Sequence, residues 1–151
     1  MRTLPHTGFI DESLDRDEAL LMRARLHVRG SWNRFSEGMR KDAIAAMYDA
    51  ISSAMQRFLF RNVSEKVLTL EKGENPSDDL TLFKSLERSG IFDESVSLDD
   101  FEYIAHTLDN ALEDRLDSFD ETRFVETSHI LLVQLGVLPF NVCELPDTIS
   151  P

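Results

Sequence analysis

Cysteine is almost missing from this 151-residue chain: Cys143 stands alone. An internal disulfide and a cysteine-built metal cluster are thereby excluded. Long apolar runs are missing too, and none approaches the ~20 residues that cross a bilayer. The opening MRTLPHTGF holds no apolar signal segment, which argues against secretion and makes a cytoplasmic location the expectation. Period-two alternation is absent, so no strand is expected. Proline never interrupts a helical pattern, and no repeat of fixed period occurs. The nucleotide-cradling glycine patterns, the nucleophile elbow and metal-ligand His/Cys spacings are all missing, so neither a cofactor nor a metal is expected.

What is present is an ordinary globular balance, 42% hydrophobic and 29% charged, long enough for one domain with a sizeable core. Charge is unevenly spread. Residues 1–61 hold ten Lys/Arg against eight Asp/Glu, whereas residues 62–151 hold six against twenty. The net charge of −12 opposes nucleic acid binding overall, although a local basic patch can still attract it.

Helical periodicity organises the rest. Leu14, Leu21, Ala24, Arg25 and Val28 predict a helix over about 13–29, capped by Asp11 or Ser13 and stopped by Gly30. Ser31 can cap the next helix, in which Gly38 marks a bend or a break. There Ile44, Met47, Tyr48, Ile51, Met55 and Phe58 form one stripe. Beside it runs a strip of small residues, Ala43, Ala46, Ala50, Ser53 and Ala54, which lets a neighbouring backbone come close. EKGENPSDD at 71–79 is a loop, and Leu80, Phe83 and Leu86 follow at helical period up to Gly90. A capping-box pattern, Ser97-x-x-Asp100, opens a helix whose face carries Phe101, Ile104, Leu108, Leu112, Arg115, Leu116 and Phe119. Asp120 or Thr122 can cap a last helix with Phe124, Ser128, Leu131, Leu132 and Leu135, closed by Gly136 and Pro139. The expected architecture is all-α, an antiparallel bundle of about five helices over residues 1–140, with 141–151 as a tail packed through Val137, Leu138 and Phe140.

Several side chains are candidates for chemistry. Arg115 falls on the apolar stripe of its expected helix, where a charge needs either a route to water or an anionic ligand in an inter-helix cleft. Arg29, Trp32 and Arg34 can form an anion or stacking patch, with His27 nearby, or Trp32 can be a core plug. His106, Asp109 and Asn110 share a helix edge.

RARLHVRGSWNRFSEGMRKDAIAAMYDAISSAM, together with LFKSLERSGIFDESVSLDDFEYIAHTLDNALEDRLDSF, resembles the HEPN-type helical bundles, also known as nucleotidyltransferase substrate-binding subunits. Nuclease members of that family carry an Arg shortly before a His. The resemblance maps this pair onto Arg123 and His129 of RFVETSH and implies metal-independent RNA cleavage. His would move a proton at the ribose 2′-hydroxyl or the leaving oxygen, and Arg would stabilise phosphate charge. The position after the family's Arg is commonly polar, whereas here it is Phe124. Six residues along a continuous helix separate two side chains by ~240°, so the pair converges only if Arg123 lies at a helix start or a bend. The expected function is a non-enzymatic interaction module that binds a protein partner or a second copy of itself. The alternative is a ribonuclease or nucleotide-binding member using Arg115 or Arg123 with His129.

Overall fold

The structure is a computed structural model in which residues 3–4, 8–9 and 15–146 are described. Among the described residues five α-helices make the fold: α1 (Arg16–Ser36), α2 (Arg40–Glu65), α3 (Asp79–Arg88), α4 (Leu98–Leu112) and α5 (Glu121–Gln134). Strand structure among the described residues is confined to β1 (Thr3–Leu4) and β2 (Gly8–Phe9), an antiparallel pair. The all-α bundle is as expected, and among the described residues no helix is long and apolar enough to cross a membrane.

The first boundary differs from expectation. Gly30 does not end α1, which runs through it to Ser36. Gly30 and Ser31 are buried, and the Ser31 hydroxyl donates to the Ala43 carbonyl at 2.7 Å. Ser31 is therefore a packing residue rather than a cap. The stop is Gly38, whose φ of +77° lets the chain turn back. There the Met39 N–H reaches the Arg34 carbonyl at 2.8 Å and the Gly38 N–H reaches Phe35 at 3.1 Å, the double bond that closes a helix end. The caps expected at Asp11 or Ser13 lie outside the described residues; Asp15 takes the position, accepting from the Glu18 N–H at 2.8 Å.

Two bonds set the register of the α1–α2 hairpin. Ser31 meets Ala43 near the turn, and Asp17 meets Arg57 at the far end, at 3.2 and 3.3 Å. Both pairs are consistent with a straight antiparallel register, which places Ala24 level with Ala50. Both alanines are fully buried. The small-residue strip is thus the seam along which α1 lies on α2.

α2 packs on all four other helices, which explains why it is both apolar and thin. Its large stripe, including Ile44, Met47, Ile51 and Met55, is buried in the central core with Phe83, Phe101, Phe124 and Leu131. Phe83 stacks between Phe92 and Phe101, at centroid distances of 4.8 and 4.9 Å. Tyr48 and Ser52 of α2 both donate to Asp79 at the start of α3, at 2.8 and 3.1 Å.

α4 is shorter than expected. It begins where the capping-box pattern places it, with Asp100 accepting from the Ser97 N–H at 2.9 Å, but it ends at Leu112. Asp114 takes φ +57°, while the Arg115 and Asp114 N–H groups bond Asn110 and Ala111 at 2.7 and 3.1 Å. This is the same closure as at Gly38, built on an aspartate, whose short polar side chain tolerates that conformation. Arg115, Leu116 and Phe119 are therefore loop residues, and Arg115 is not on a helix stripe.

Residues past α5 lie on α1. The Arg25 Nε–H donates to the Val137 carbonyl at 3.0 Å, Trp32 stacks on Phe140 at 5.6 Å with 6° between the rings, and an Arg29 N–H reaches the Pro146 carbonyl. Val142–Glu144 forms a single 3₁₀ turn.

Candidate functional site

Three phenylalanines fix the loop between α4 and α5. Phe119 stacks on Phe35 of α1 at 6.2 Å and meets Phe124 of α5 edge-on at 5.7 Å. Leu116 and Phe119 thus pack against the core although the helix has stopped, whereas Leu112, expected on the same stripe, is exposed. Anchoring Phe119 leaves the rest of the loop, Arg115 to Ser118, arched over the end of α4.

Under that arch is a notch of about 240 Å³. Tyr103, His106 and Asn110 line it from one edge of α4, at helical spacings of three and four. Arg115 and Ser118 line it from the loop, and Arg123 from α5. Asp120 caps α5 at the rim, accepting from the Arg123 N–H at 3.1 Å. Arg123 sits in the first turn of α5, and its guanidinium lies 3.9 Å from the Tyr103 ring centroid. Stacking uses the face of the guanidinium and leaves its N–H edge directed outward. Burial raises the Tyr103 pKa, although the Arg123 charge pulls it down. The phenol is therefore neutral at physiological pH and does not cancel the arginine. Arg115 is 72% exposed and ion-paired with Glu113 at 2.6 Å, a solvent-screened contact that a competing anion can exchange at low cost.

Arg115 and Arg123, which sequence periodicity treated as unrelated, thus share one notch. His129 is not among its lining residues. Helix α5 is unbroken from Glu121 through His129, so the two side chains of the Arg–His pair, separated by ~240° of winding, leave the axis ~120° apart. Arg123 does lie at the helix start, yet it turns to Tyr103 on α4; the structure does not bring Arg123 and His129 together.

Arg29, Trp32 and Arg34 do not form one patch either. Arg29 is only 8% exposed and bonds the chain after α5. Trp32 is covered on one face by Phe140. Arg34 donates to the Gly30 carbonyl of its own helix at 2.9 Å. Part of the basic first half is engaged within the fold, with Arg57 and Arg61 both on Asp17, while Arg16, Arg40 and Lys41 are exposed.

His106 also borders a wider groove of about 580 Å³, lined by Tyr48, Asp78, Asp79, Glu102 and Asp109. This groove is acidic, and Asp79 is already engaged by Tyr48 and Ser52. Among the described residues, no three His, Cys, Asp or Glu side chains are grouped to hold a metal ion.

Tyr103, Thr107 and Ser118 are notch residues that sequence reasoning missed; Tyr103 is the one that holds Arg123. Its signal was present: it precedes His106 by three positions and Asn110 by seven, on one helix edge.

Comparisons of the chain with protein-family models, curated proteins and solved structures return no match.

Proposed function

We propose that this protein is a non-enzymatic helical interaction module that grips an anionic group of a protein partner in the α4–α5 notch. The observation that carries this reading is the convergence of Arg115 and Arg123 on one solvent-facing notch. Residues 62–151 contain only six cationic side chains among twenty acidic ones, and two of the six meet here. Such a local positive site on an acidic surface selects a small anion at the notch and repels a long polyanion around it. Asn110 and Ser118 supply further donors, and the Tyr103 stack holds Arg123 in place before any ligand arrives. A protein partner and a cytoplasmic setting belong to this reading. The bundle supports the HEPN-type likeness at the level of fold class, without the Arg–His convergence that its nuclease chemistry requires.

The test is an NMR titration of the arginine side-chain Nε–H signals with acetate and with inorganic phosphate, at fixed ionic strength. We expect a saturable shift at Arg123 that weakens several-fold in Arg115→Gln. The tighter of the two anions distinguishes a carboxylate partner from a phosphorylated one. Shifts that never saturate, or that Arg115→Gln leaves unchanged, would refute the notch. Cleavage of single-stranded RNA without divalent metal, abolished by His129→Ala with the fold intact, would establish the ribonuclease reading in its place.

A further inference from the structure

Two features of the α4–α5 notch select among anions, on the reading of that notch as an anion site. The first is that Arg115 already holds a carboxylate. Glu113, two residues back in the chain, is ion-paired with it at 2.6 Å, and so short a tether keeps that carboxylate at an effective concentration on the order of 1 mM. A second carboxylate would replace like with like at Arg115, bringing the same single charge and the same two oxygens. Those two oxygens are filled by the N–H edge of Arg123 alone, which leaves Arg115 with Glu113. A phosphate monoester carries a charge of about −1.5 to −2 at neutral pH and three terminal oxygens. It can accept from both guanidinium groups at once, and its second charge offsets the loss of the Glu113 pair, which is weak because both partners are exposed.

The second feature is the make-up of the walls. Arg115 comes from the loop and Arg123 from α5, while Asn110 and Ser118 add neutral donors. Donors on several sides suit a tetrahedral group better than a planar one. Leu116 and Phe119, both half-buried, line the same notch. A bare ion gains nothing from apolar walls, whereas the carbon atoms of an ester do.

We propose that the anion is a phosphate monoester on a side chain of the partner, its oxygens shared between Arg115 and Arg123 and its ester carbons against Leu116 and Phe119. Glu113 is a resident competitor that a dianion displaces and a carboxylate does not. Paired arginines are a recurring way to recognise a phosphorylated side chain. A chain of phosphodiesters is opposed instead, because it repeats its charge along the backbone and meets the twenty acidic residues of 62–151.

The probes are three capped, otherwise uncharged pentapeptides with phosphoserine, glutamate or serine at the centre, alongside inorganic phosphate and hexauridylate. Each is titrated into the full chain at pH 7.5 and fixed ionic strength, and the Arg123 Nε–H signal is read by NMR. The phosphoserine peptide should saturate at a concentration at least tenfold below the glutamate peptide and several-fold below inorganic phosphate. The serine peptide should give no saturable shift. Arg115→Gln should erase most of the preference for phosphoserine over glutamate. Glu113→Gln removes the competitor and should tighten the phosphoserine peptide several-fold; both substitutions are at exposed positions and leave the core untouched. Equal affinity for the phosphoserine and glutamate peptides, lowered alike by Arg115→Gln, would overturn this assignment and leave the anion notch standing. Tighter binding of inorganic phosphate would overturn it in favour of a free ion, and tighter binding of hexauridylate in favour of nucleic acid. The absence of any saturable, Arg115-dependent shift with all five probes would remove the notch itself.

Discussion

Replacing Ala50 with leucine tests the α1–α2 seam most directly. Ala50 has no exposed surface, and the register set by Ser31–Ala43 and Asp17–Arg57 puts it level with Ala24, which is equally buried. Alanine beside alanine at the middle of a helix pair allows the axes to approach to ~8 Å, the near end of the usual range. Leucine adds three carbons where interior packing leaves no void to receive them. Helix propensity cannot account for a loss, because leucine is nearly as good a helix former as alanine. The cost is therefore steric, about 1–3 kcal/mol. For a domain of this size each kcal/mol lowers Tm by about 2–4 °C, so a fall of about 2–12 °C is expected. Thermal unfolding followed by circular dichroism, at two protein concentrations a decade apart, reads it. The fall should be the same at both concentrations, because the seam lies within one chain. Ala45→Leu, at a half-buried position on the same helix, should cost less. An unchanged Tm in Ala50→Leu would refute the close approach, and a concentration-dependent one would move the contact to an interface between copies.

Two further outcomes follow from buried polar contacts. Burial raises the Asp17 pKa, but the hydrogen bonds and charges of Arg57 and Arg61 outweigh it and hold the carboxyl below its usual value. A folded pKa below the unfolded one contributes stability above the unfolded value, near 4, and loses it as pH falls through the folded value. Asp17→Asn also strands the almost buried Arg57 and should cost about 3 kcal/mol at pH 7, a gap that thermal scans should find constant down to about pH 5 and closing below about pH 4. Tyr48→Phe removes one of two donors to Asp79 and should lower the urea midpoint by about 1 kcal/mol of stability with an unchanged m value. Burial, with the Asp79 hydrogen bond, keeps this phenol protonated well above the usual tyrosine range, so the effect should be flat from pH 6 to about 9.

Periodicity located the helices well and their ends poorly. Gly90 and Gly136 stop helices as expected, because each stands just past the last apolar position of a stripe. Gly30 stands in a similar place and does not stop α1. The difference lies outside α1: the chain gains more by carrying Gly30 and Ser31 onto α2, where Ser31 bonds Ala43, than it loses in helix propensity at one glycine, about 1 kcal/mol. No local rule contains that partner. The end of α4 fails in the opposite direction. Leu116 and Phe119 keep helical spacing past the stop, because the loop still has to cover the same core, as the Phe35–Phe119–Phe124 cluster does; Leu112, where the helix ends, is instead exposed. Asp114 and Lys66 take the left-handed turns that end α4 and α2; aspartate tolerates that conformation without marking the place as glycine does, and lysine does not mark it at all.

The same missed turn governs what was legible of the site. Arg115 drew attention as a charge on an apolar stripe, and that reason dissolves once α4 ends at Leu112. Its place in the notch comes from the turn itself: the Asp114 closure swings the chain back across α4, and Phe119 pins the loop so that Arg115 and Ser118 face Tyr103, His106 and Asn110. Arg123 reaches the notch by a second route, as a first-turn residue whose guanidinium lies on the Tyr103 ring. Two cations twenty or fewer residues from a candidate helix edge are visible in any sequence, but their convergence depends on where a helix stops and which aromatic offers a face. The Arg123–His129 spacing shows the converse. It was legible as a pattern, yet an uninterrupted α5 turns the two side chains apart, so a match in spacing carried no geometry. For this bundle, then, the informative signal for a site is an edge of α4 carrying Tyr103, His106 and Asn110 beside a chain reversal, rather than any pair of residues at a family's spacing.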